Sequence, residues 1–243
     1  MQKKIEGIIV STVDYKESSK IINIFTKEDG IVGVIAKGSK NLKNSLRATT
    51  TILSYGIFYL NYRENSVSTL IEVDIIDYFK EIRKDIYKTN YSLYLLELAT
   101  QVYKQERNKN IYETLIIGLK KINEGFDAGV VTNIIELKLL ENLGIKPNLN
   151  HCVNCKNKFD IVTISSYKGG YLCKNCVGEE MIYNVKTLKL IAMFYYLNLE
   201  KVKKIDISDN IKKELNLFIN DYYERYSGLY LKSKDFLEVL TKI

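Results

Sequence analysis

The residues with the most chemistry in this chain are Cys152-Val153-Asn154-Cys155 and, after seventeen intervening residues, Cys173-Lys174-Asn175-Cys176. They are all four of its cysteines. Two C-x-x-C pairs at that separation have the spacing of a four-thiolate zinc site, in which each pair closes a knuckle and four sulfurs complete a tetrahedron. Four protein ligands leave no open coordination position, so the spacing predicts a structural rather than a catalytic Zn²⁺. Iron could occupy the same sulfurs. Two disulfides would need an oxidising compartment, and nothing in the sequence reads as secretory. A redox C-x-x-C belongs near a βαβ pattern, which is not found around Cys152. His151, the only histidine, adjoins the first knuckle, but with four thiols available it reads as a solvated residue rather than a ligand.

The second candidate chemistry is phosphate recognition. The segment from Lys37 to Arg47 carries four cations, Lys37, Lys40, Lys43 and Arg47, and no carboxylate. Beside a β-barrel groove such a segment would contact phosphates, and Tyr15, Tyr59 or Tyr62 could stack on bases. The plainer reading is a solvated loop, which describes most lysine-rich turns. Nineteen tyrosines also dilute the claim of any one of them.

Catalytic machinery is not visible. One histidine offers no Ser-His-Asp triad outside the knuckle, and there is no G-x-x-x-x-G-K-[ST] loop. Asp74 and Asp77 lie close together at a strand end, a common solvated arrangement, and nothing positive points to a metal-dependent nuclease. The expectation is a protein that is not an enzyme.

These residues must be positioned by a chain that changes character twice. Residues 1–80 read as five short strands: Ile5–Val13, Ile21–Thr26, Ile31–Ala36, Tyr55–Tyr62 and Val67–Ile76. Gly30 supplies a turn between the second and third, and Arg63-Glu64-Asn65-Ser66 a turn between the last two. Five strands with a basic excursion after the third suit an OB-type barrel, and an SH3-like barrel fits the strand count nearly as well.

Helical periodicity follows. Tyr91, Leu95, Leu98 and Val102 share one face, and Ile111, Leu115 and Leu119 share another. A third helix is capped by Asp127, carries the stripe Ile134, Leu137, Leu140 and Leu143, and ends at Gly144 before Pro147, the only proline. Between the knuckles, Asp160–Ser166 predicts a strand and Lys168-Gly169-Gly170 a turn, the short hairpin of a zinc ribbon. Beyond Gly178, Leu188, Ile191, Ala192, Tyr195 and Leu199 share a face. Ile211, Leu215, Phe218, Ile219, Tyr222 and Tyr226 share another, after a possible cap at Ser208. A last short helix runs from Ser233 to the terminus.

The expected class is therefore α+β: an N-terminal OB-fold β-barrel, then an all-α domain with an inserted four-cysteine zinc ribbon. The boundaries fall at 1–80 for the OB-fold DNA-binding domain, 81–147 for the first helical part, 148–178 for the zinc module and 179–243 for the second helical part.

The net charge of +7 is unevenly spread. Of the segments 1–80, 81–145, 146–176 and 177–243, the third has the largest excess, five lysines against Asp160 alone. A four-thiolate Zn²⁺ carries a formal charge of −2, which brings the total to about +5. That bias supports an acidic partner only weakly by itself. No apolar run reaches the length of a membrane span, which predicts a cytoplasmic protein with no membrane partner.

Together the pieces form an order. Gly7-Ile8-Ile9-Val10 precedes Tyr15-Lys16-Glu17-Ser18-Ser19-Lys20-Ile21-Ile22, Phe25-Thr26-Lys27-Glu28-Asp29-Gly30 and Ala36-Lys37-Gly38-Ser39-Lys40. Then come Glu136-Leu137-Lys138-Leu139-Leu140, Leu143-Gly144-Ile145-Lys146-Pro147, the two knuckles and Leu231-Lys232-Ser233-Lys234-Asp235-Phe236-Leu237. That order resembles the bacterial RecO family of DNA repair proteins along the whole chain.

The resemblance implies a recombination mediator with an OB fold, a helical domain and a zinc module lodged in it. RecO-like proteins bind single- and double-stranded DNA and anneal complementary strands. They act on DNA coated with single-stranded-DNA-binding protein and, with RecR, help load RecA, which places them at the nucleoid. The chain departs from the family at Leu46-Arg47-Ala48-Thr49-Thr50, where relatives tend to carry a more basic run containing glutamine. The alternative from another class is a zinc-ribbon and OB-fold protein that binds RNA or serves transcription. A third reading uses barrel and ribbon as protein-docking surfaces only.

Overall fold

The computed structural model describes residues 1–63, 66–234 and 237. Contacts divide them into two compact units, Met1–Glu124 with the described residues from Ser233 onward, and Gly125–Lys232.

In the first unit the β-branched and aromatic runs form β1 (Gln2–Tyr15), β2 (Ser19–Thr26), β3 (Gly30–Ala36), β4 (Tyr55–Asn61) and β5 (Ser68–Asp77). Alternation along these strands sends Ile5, Ile9, Ile22, Ile24, Val34, Ala36, Phe58, Leu60 and Leu70 into one buried cluster. The strands close into a barrel in the order β1-β2-β3-β5-β4. β4 returns against β1, and β3 meets β5 in parallel through Val34↔Ser68 and Ile35↔Thr69. This non-sequential order is OB-like and resolves the barrel type that strand count alone left open.

Two glycines permit the closure. Gly7 and Gly56 face each other across β1 and β4. A Cβ on Gly56 would stand 2.5 Å from the Asp74 carbonyl oxygen, and one on Gly7 would stand 2.7 Å from that of Phe25. Only a residue without a side chain allows the backbones this close.

A single turn of helix, α1 (Leu46–Thr49), interrupts the β3–β4 connection. α2 (Lys80–Arg83), α3 (Ile86–Gln105) and α4 (Lys109–Asn123) follow β5. Asp85 caps α3 by accepting from the amides of Tyr87 and Lys88, and Asn108 caps α4 by accepting from Asn110. The faces predicted from spacing are the buried ones: Tyr91, Leu95, Leu98 and Val102 in α3, and Ile111, Leu115 and Leu119 in α4. Phe25 of β2 meets Tyr103 and Tyr112 with ring centroids 4.9 and 5.4 Å away. These helices therefore pack with the barrel in one compact unit. The aromatic faces that join the two sides carry no periodic signal.

The second unit contains α5 (Ala128–Asn142), the hairpin β6 (Ile161–Ser165) and β7 (Gly170–Cys173), α6 (Val185–Tyr196) and α7 (Asp209–Tyr226). Asp127 caps α5 by accepting from the Val130 amide at 2.9 Å, as the sequence predicts. Gly144, at φ +70, ends it in a Schellman motif: Ile145 N–H donates to Leu140 and Gly144 N–H to Glu141, each at 3.0 Å. α5 differs from the predicted single stripe. Val131, Ile135 and Leu139 are buried along with Ile134, Leu137 and Leu140, so the helix is central to its unit, while Leu143 at the cap is only half-buried.

The face read through Leu199 is also shorter than expected. α6 stops at Tyr196, and Leu199 lies on a separate 3₁₀ turn capped by Asn198. The expected turn at 63–66 and the last helix from Ser233 lie partly outside the described residues. Among the described residues, no helix is long and apolar enough to cross a membrane.

Candidate metal centre and nucleic-acid interface

Backbone hydrogen bonds build the metal centre before any metal is considered. In the first knuckle Cys152 N–H donates to the Asn157 carbonyl at 2.7 Å, and Lys156 N–H donates to the Cys152 carbonyl at 3.0 Å. Lys156 takes a left-handed φ of +63, which turns the chain tightly behind Cys155. In the second, Cys176 N–H donates to the Cys173 carbonyl at 2.9 Å. Cys173 closes β7 opposite Ile161, and Val153 N–H donates to the Tyr171 carbonyl at 2.9 Å, so the hairpin fixes one knuckle against the other.

All four sulfurs lie within 4.8 Å of one another. The Cys155 and Cys173 sulfurs are 3.5 Å apart, and all four cysteines are free thiols. Tetrahedral Zn–S bonds of about 2.3 Å place sulfurs about 3.8 Å apart, whereas a disulfide needs about 2.05 Å. The arrangement can hold a metal ion.

Its electrostatics ask for a cation. Burial acts to raise the Cys152 thiol, but the backbone amides of Cys155, Cys173 and Asn154 outweigh it and bring the group down to about 6. The Cys155 thiol, then burial, then Cys173 and Cys152 push Cys176 up to about 12. Four thiolates this close repel one another unless a positive ion sits among them. His151 stands outside the sulfur group, its Nδ1 3.0 Å from the Cys152 carbonyl oxygen. Among the described residues this is the one group of three or more Cys, His, Asp or Glu side chains with metal-binding spacing. Asp74 and Asp77 are used separately: Asp74 accepts from the Tyr59 hydroxyl at 2.9 Å and Asp77 from the Phe79 amide at 2.6 Å.

The basic segment leaves β3 and folds back over the β1–β2 turn. Gly38, at φ +67, starts the reversal. Lys40 N–H donates to the Ser18 carbonyl at 2.9 Å, and Ser39 is fully buried with its hydroxyl on the Ala36 carbonyl. Asn41 and Asn44 continue the path as linked turns, and Leu46 packs against the barrel core. The loop is thus pinned at both ends while Lys37, Lys40, Lys43 and Arg47 remain exposed.

Pinning also brings in two cations that the sequence reading missed, Lys16 of the β1–β2 turn and Lys20 at the start of β2. Six cations share this region with Asp14 and Glu17. Lys40 pairs with Asp14 at 2.8 Å, and that ammonium, with Lys20 further off, holds the Asp14 carboxyl below the usual range. The signal available in the sequence was the Tyr15-Lys16-Glu17-Ser18-Ser19-Lys20 turn, whose proximity to residue 40 depends on barrel register.

The three tyrosines divide. Tyr15 is half-buried in this region, with the Lys16 ammonium 5.3 Å from its ring centre. Tyr59 and Tyr62 make their polar contacts elsewhere. Tyr59 bonds to Asp74 with Lys4 5.6 Å from its ring, and Tyr62 has Lys3 at 4.6 Å.

The comparisons with known proteins agree over the full chain. The family model described as Recombination protein O N terminal matches residues 1–79, and that described as Recombination protein O C terminal matches residues 83–235. Curated relatives named DNA repair protein RecO include one from Halalkalibacterium halodurans, 36% identical over 99% of this chain and 96% of the relative. Another, from Bacillus subtilis, is 36% identical over 98% and 94%, and one from Bacillus pumilus is 33% identical over 96% and 93%. Family models over both the barrel and the rest of the chain, and relatives 33–36% identical over nearly its whole length, lead to one conclusion: the chain belongs to the RecO family of DNA repair proteins.

Proposed function

We propose that this protein is a non-enzymatic recombination mediator. It binds single- and double-stranded DNA, anneals complementary strands and, with RecR, helps load RecA onto strands coated with single-stranded-DNA-binding protein. The observation that carries the reading is the cationic surface of the pinned loop, where Lys37, Lys40, Lys43 and Arg47 are exposed beside the exposed Lys16 and the half-buried Lys20. Strand annealing brings two polyanions together without reading their sequence. Exposed cations on a rigid loop supply that binding by releasing condensed counterions, and the affinity falls as salt rises. RecA is reached indirectly, through the altered coating of the strand, and the work takes place in the cytoplasm at the nucleoid.

The metal in this reading is a structural Zn²⁺ held by Cys152, Cys155, Cys173 and Cys176, with every coordination position taken by protein. The acidic, apolar tail of the single-stranded-DNA-binding protein needs an apolar cleft rimmed by cations. A cleft of about 630 Å³ in the second unit brings Lys138 and Lys146 beside Tyr195 and Tyr196, but Glu141, paired with Lys146, and Asn148 and Asn150 make it more polar than such a tail requires.

The test is binding of the Lys37→Glu/Lys40→Glu variant to a single-stranded oligonucleotide over a salt series. Charge reversal is expected to weaken binding and to flatten the dependence of log K on log salt by about 1.4, at about 0.7 for each lost contact. An unchanged slope would remove these lysines from the interface.

A further inference from the structure

We propose that the cysteine module is itself a single-strand contact, with Phe159 as its base-stacking platform. Phe159 is 76% exposed, the most exposed aromatic side chain among the described residues. An exposed phenyl ring makes no hydrogen bond to water, so its exposure has no local return. It is not on a slack tail. Its N–H donates to Asn157 Oδ1 at 3.0 Å, and Asp160 follows at a left-handed φ of +54. Lys174 N–H then donates to the Asp160 carbonyl at 2.9 Å, tying this corner of the first knuckle to the second.

The same corner is cationic. Lys156, Lys158 and Lys174 are all exposed, and no ion pair engages them among the described residues. Asp160 is the only carboxylate in residues 146–176, so the stretch is basic before its metal is counted. A bound Zn²⁺ with four thiolates subtracts two charges, which leaves a modest positive surface. A flat apolar ring amid ammonium groups is complementary to a nucleobase joined to phosphates. The occupant is a single strand rather than a duplex, because duplex bases already have both faces stacked. An acidic peptide would satisfy the lysines but would not need the ring.

This proposal rests on the DNA reading above and adds to it. Two single-strand contacts, one on the barrel loop and one on the cysteine module, would let one chain engage complementary strands at the same time.

The sequence contains no tryptophan, so Phe159→Trp introduces a single indole at the proposed contact. Titrating that full-length, zinc-loaded variant with oligo-dT is expected to quench its fluorescence saturably. Phe159→Ala is expected to bind oligo-dT about tenfold more weakly, with unchanged circular dichroism and metal content. Replacing Lys156, Lys158 and Lys174 together by Gln should lower the salt slope by about 2. If oligo-dT binds by anisotropy but the indole is not quenched and Phe159→Ala binds normally, this inference fails and the barrel-loop reading stands. If oligo-dT does not bind at all, both fail. Quenching by an acidic peptide and not by oligo-dT would make the face a protein-docking surface and overturn the proposal.

Discussion

The OB-like barrel buries nine side chains in one cluster, whereas the cysteine module buries Cys152, Leu172 and Cys173 with only partly buried neighbours. Both carry cations at their surface, but they can be rigid for different reasons. The barrel has enough apolar area to hold its strands by burial, at roughly 25 cal/mol per Å². The hairpin β6–β7 has five and four residues, which is too little to stand alone in water. It leans instead on α6 and α7, through Tyr171 on the Leu188 carbonyl, Ser166 on Asp221 and the buried Ile164, and on the ion that its sulfurs are spaced to hold in the reading proposed above. The same surface chemistry is therefore mounted on a closed apolar core in one region and, in the proposed reading, on a small hairpin braced by helices and by metal coordination in the other.

Breaking the coordination scaffold should give the largest effect. Cys173→Ser, or treatment with a strong chelator, is expected to abolish stoichiometric metal binding and unfold the hairpin, because metal binding is folding energy in such modules. Hydrogen exchange would show it: amides of Thr163 and Leu172 should lose protection while those of Ile22 and Ile24 keep theirs. Protection retained at Leu172 after metal removal would mean the module holds itself together.

Phe58→Ala is the converse test, since Phe58 is fully buried in the barrel cluster. It should cost about 3–5 kcal/mol by denaturant unfolding and leave metal content unchanged. Loss of metal in this variant would mean that the two scaffolds are not independent.

A smaller effect is expected at Asp127→Ala. That side chain caps α5 and also pairs with Lys212 at 2.6 Å. Loss of the cap should cost about 1 kcal/mol, read as a lower unfolding midpoint with the barrel unaffected.

Much of this contrast could be read from the sequence because its signals are local. The cysteine spacing alone defines the knuckles, Asp127 and Gly144 bracket α5, and runs of β-branched residues, with aromatic alternation from Tyr55 to Tyr62, mark the five barrel strands. What could not be read depends on packing between distant segments. Lys16 and Lys20 join the basic loop only because β1, β2 and β3 align in register. Tyr59 and Tyr62 looked equivalent to Tyr15 as stacking candidates, yet β4 directs their contacts to Asp74, Lys4 and Lys3. α5 shows one stripe by periodicity, but its other apolar residues are buried too, because it lies at the centre of its unit. Phe159 was invisible as a candidate, since exposure of an apolar residue beside a knuckle is a property of the fold and not of the spacing.

The central claim is that this chain uses exposed cations on rigid scaffolds to bring complementary strands together. It is tested most directly by the rate of annealing of complementary DNA strands precoated with the cognate single-stranded-DNA-binding protein. The account predicts acceleration at stoichiometric protein that declines as salt rises and is impaired in the Lys37→Glu/Lys40→Glu variant. A folded, metal-loaded protein that binds the coated strands yet leaves their annealing rate unchanged would contradict it.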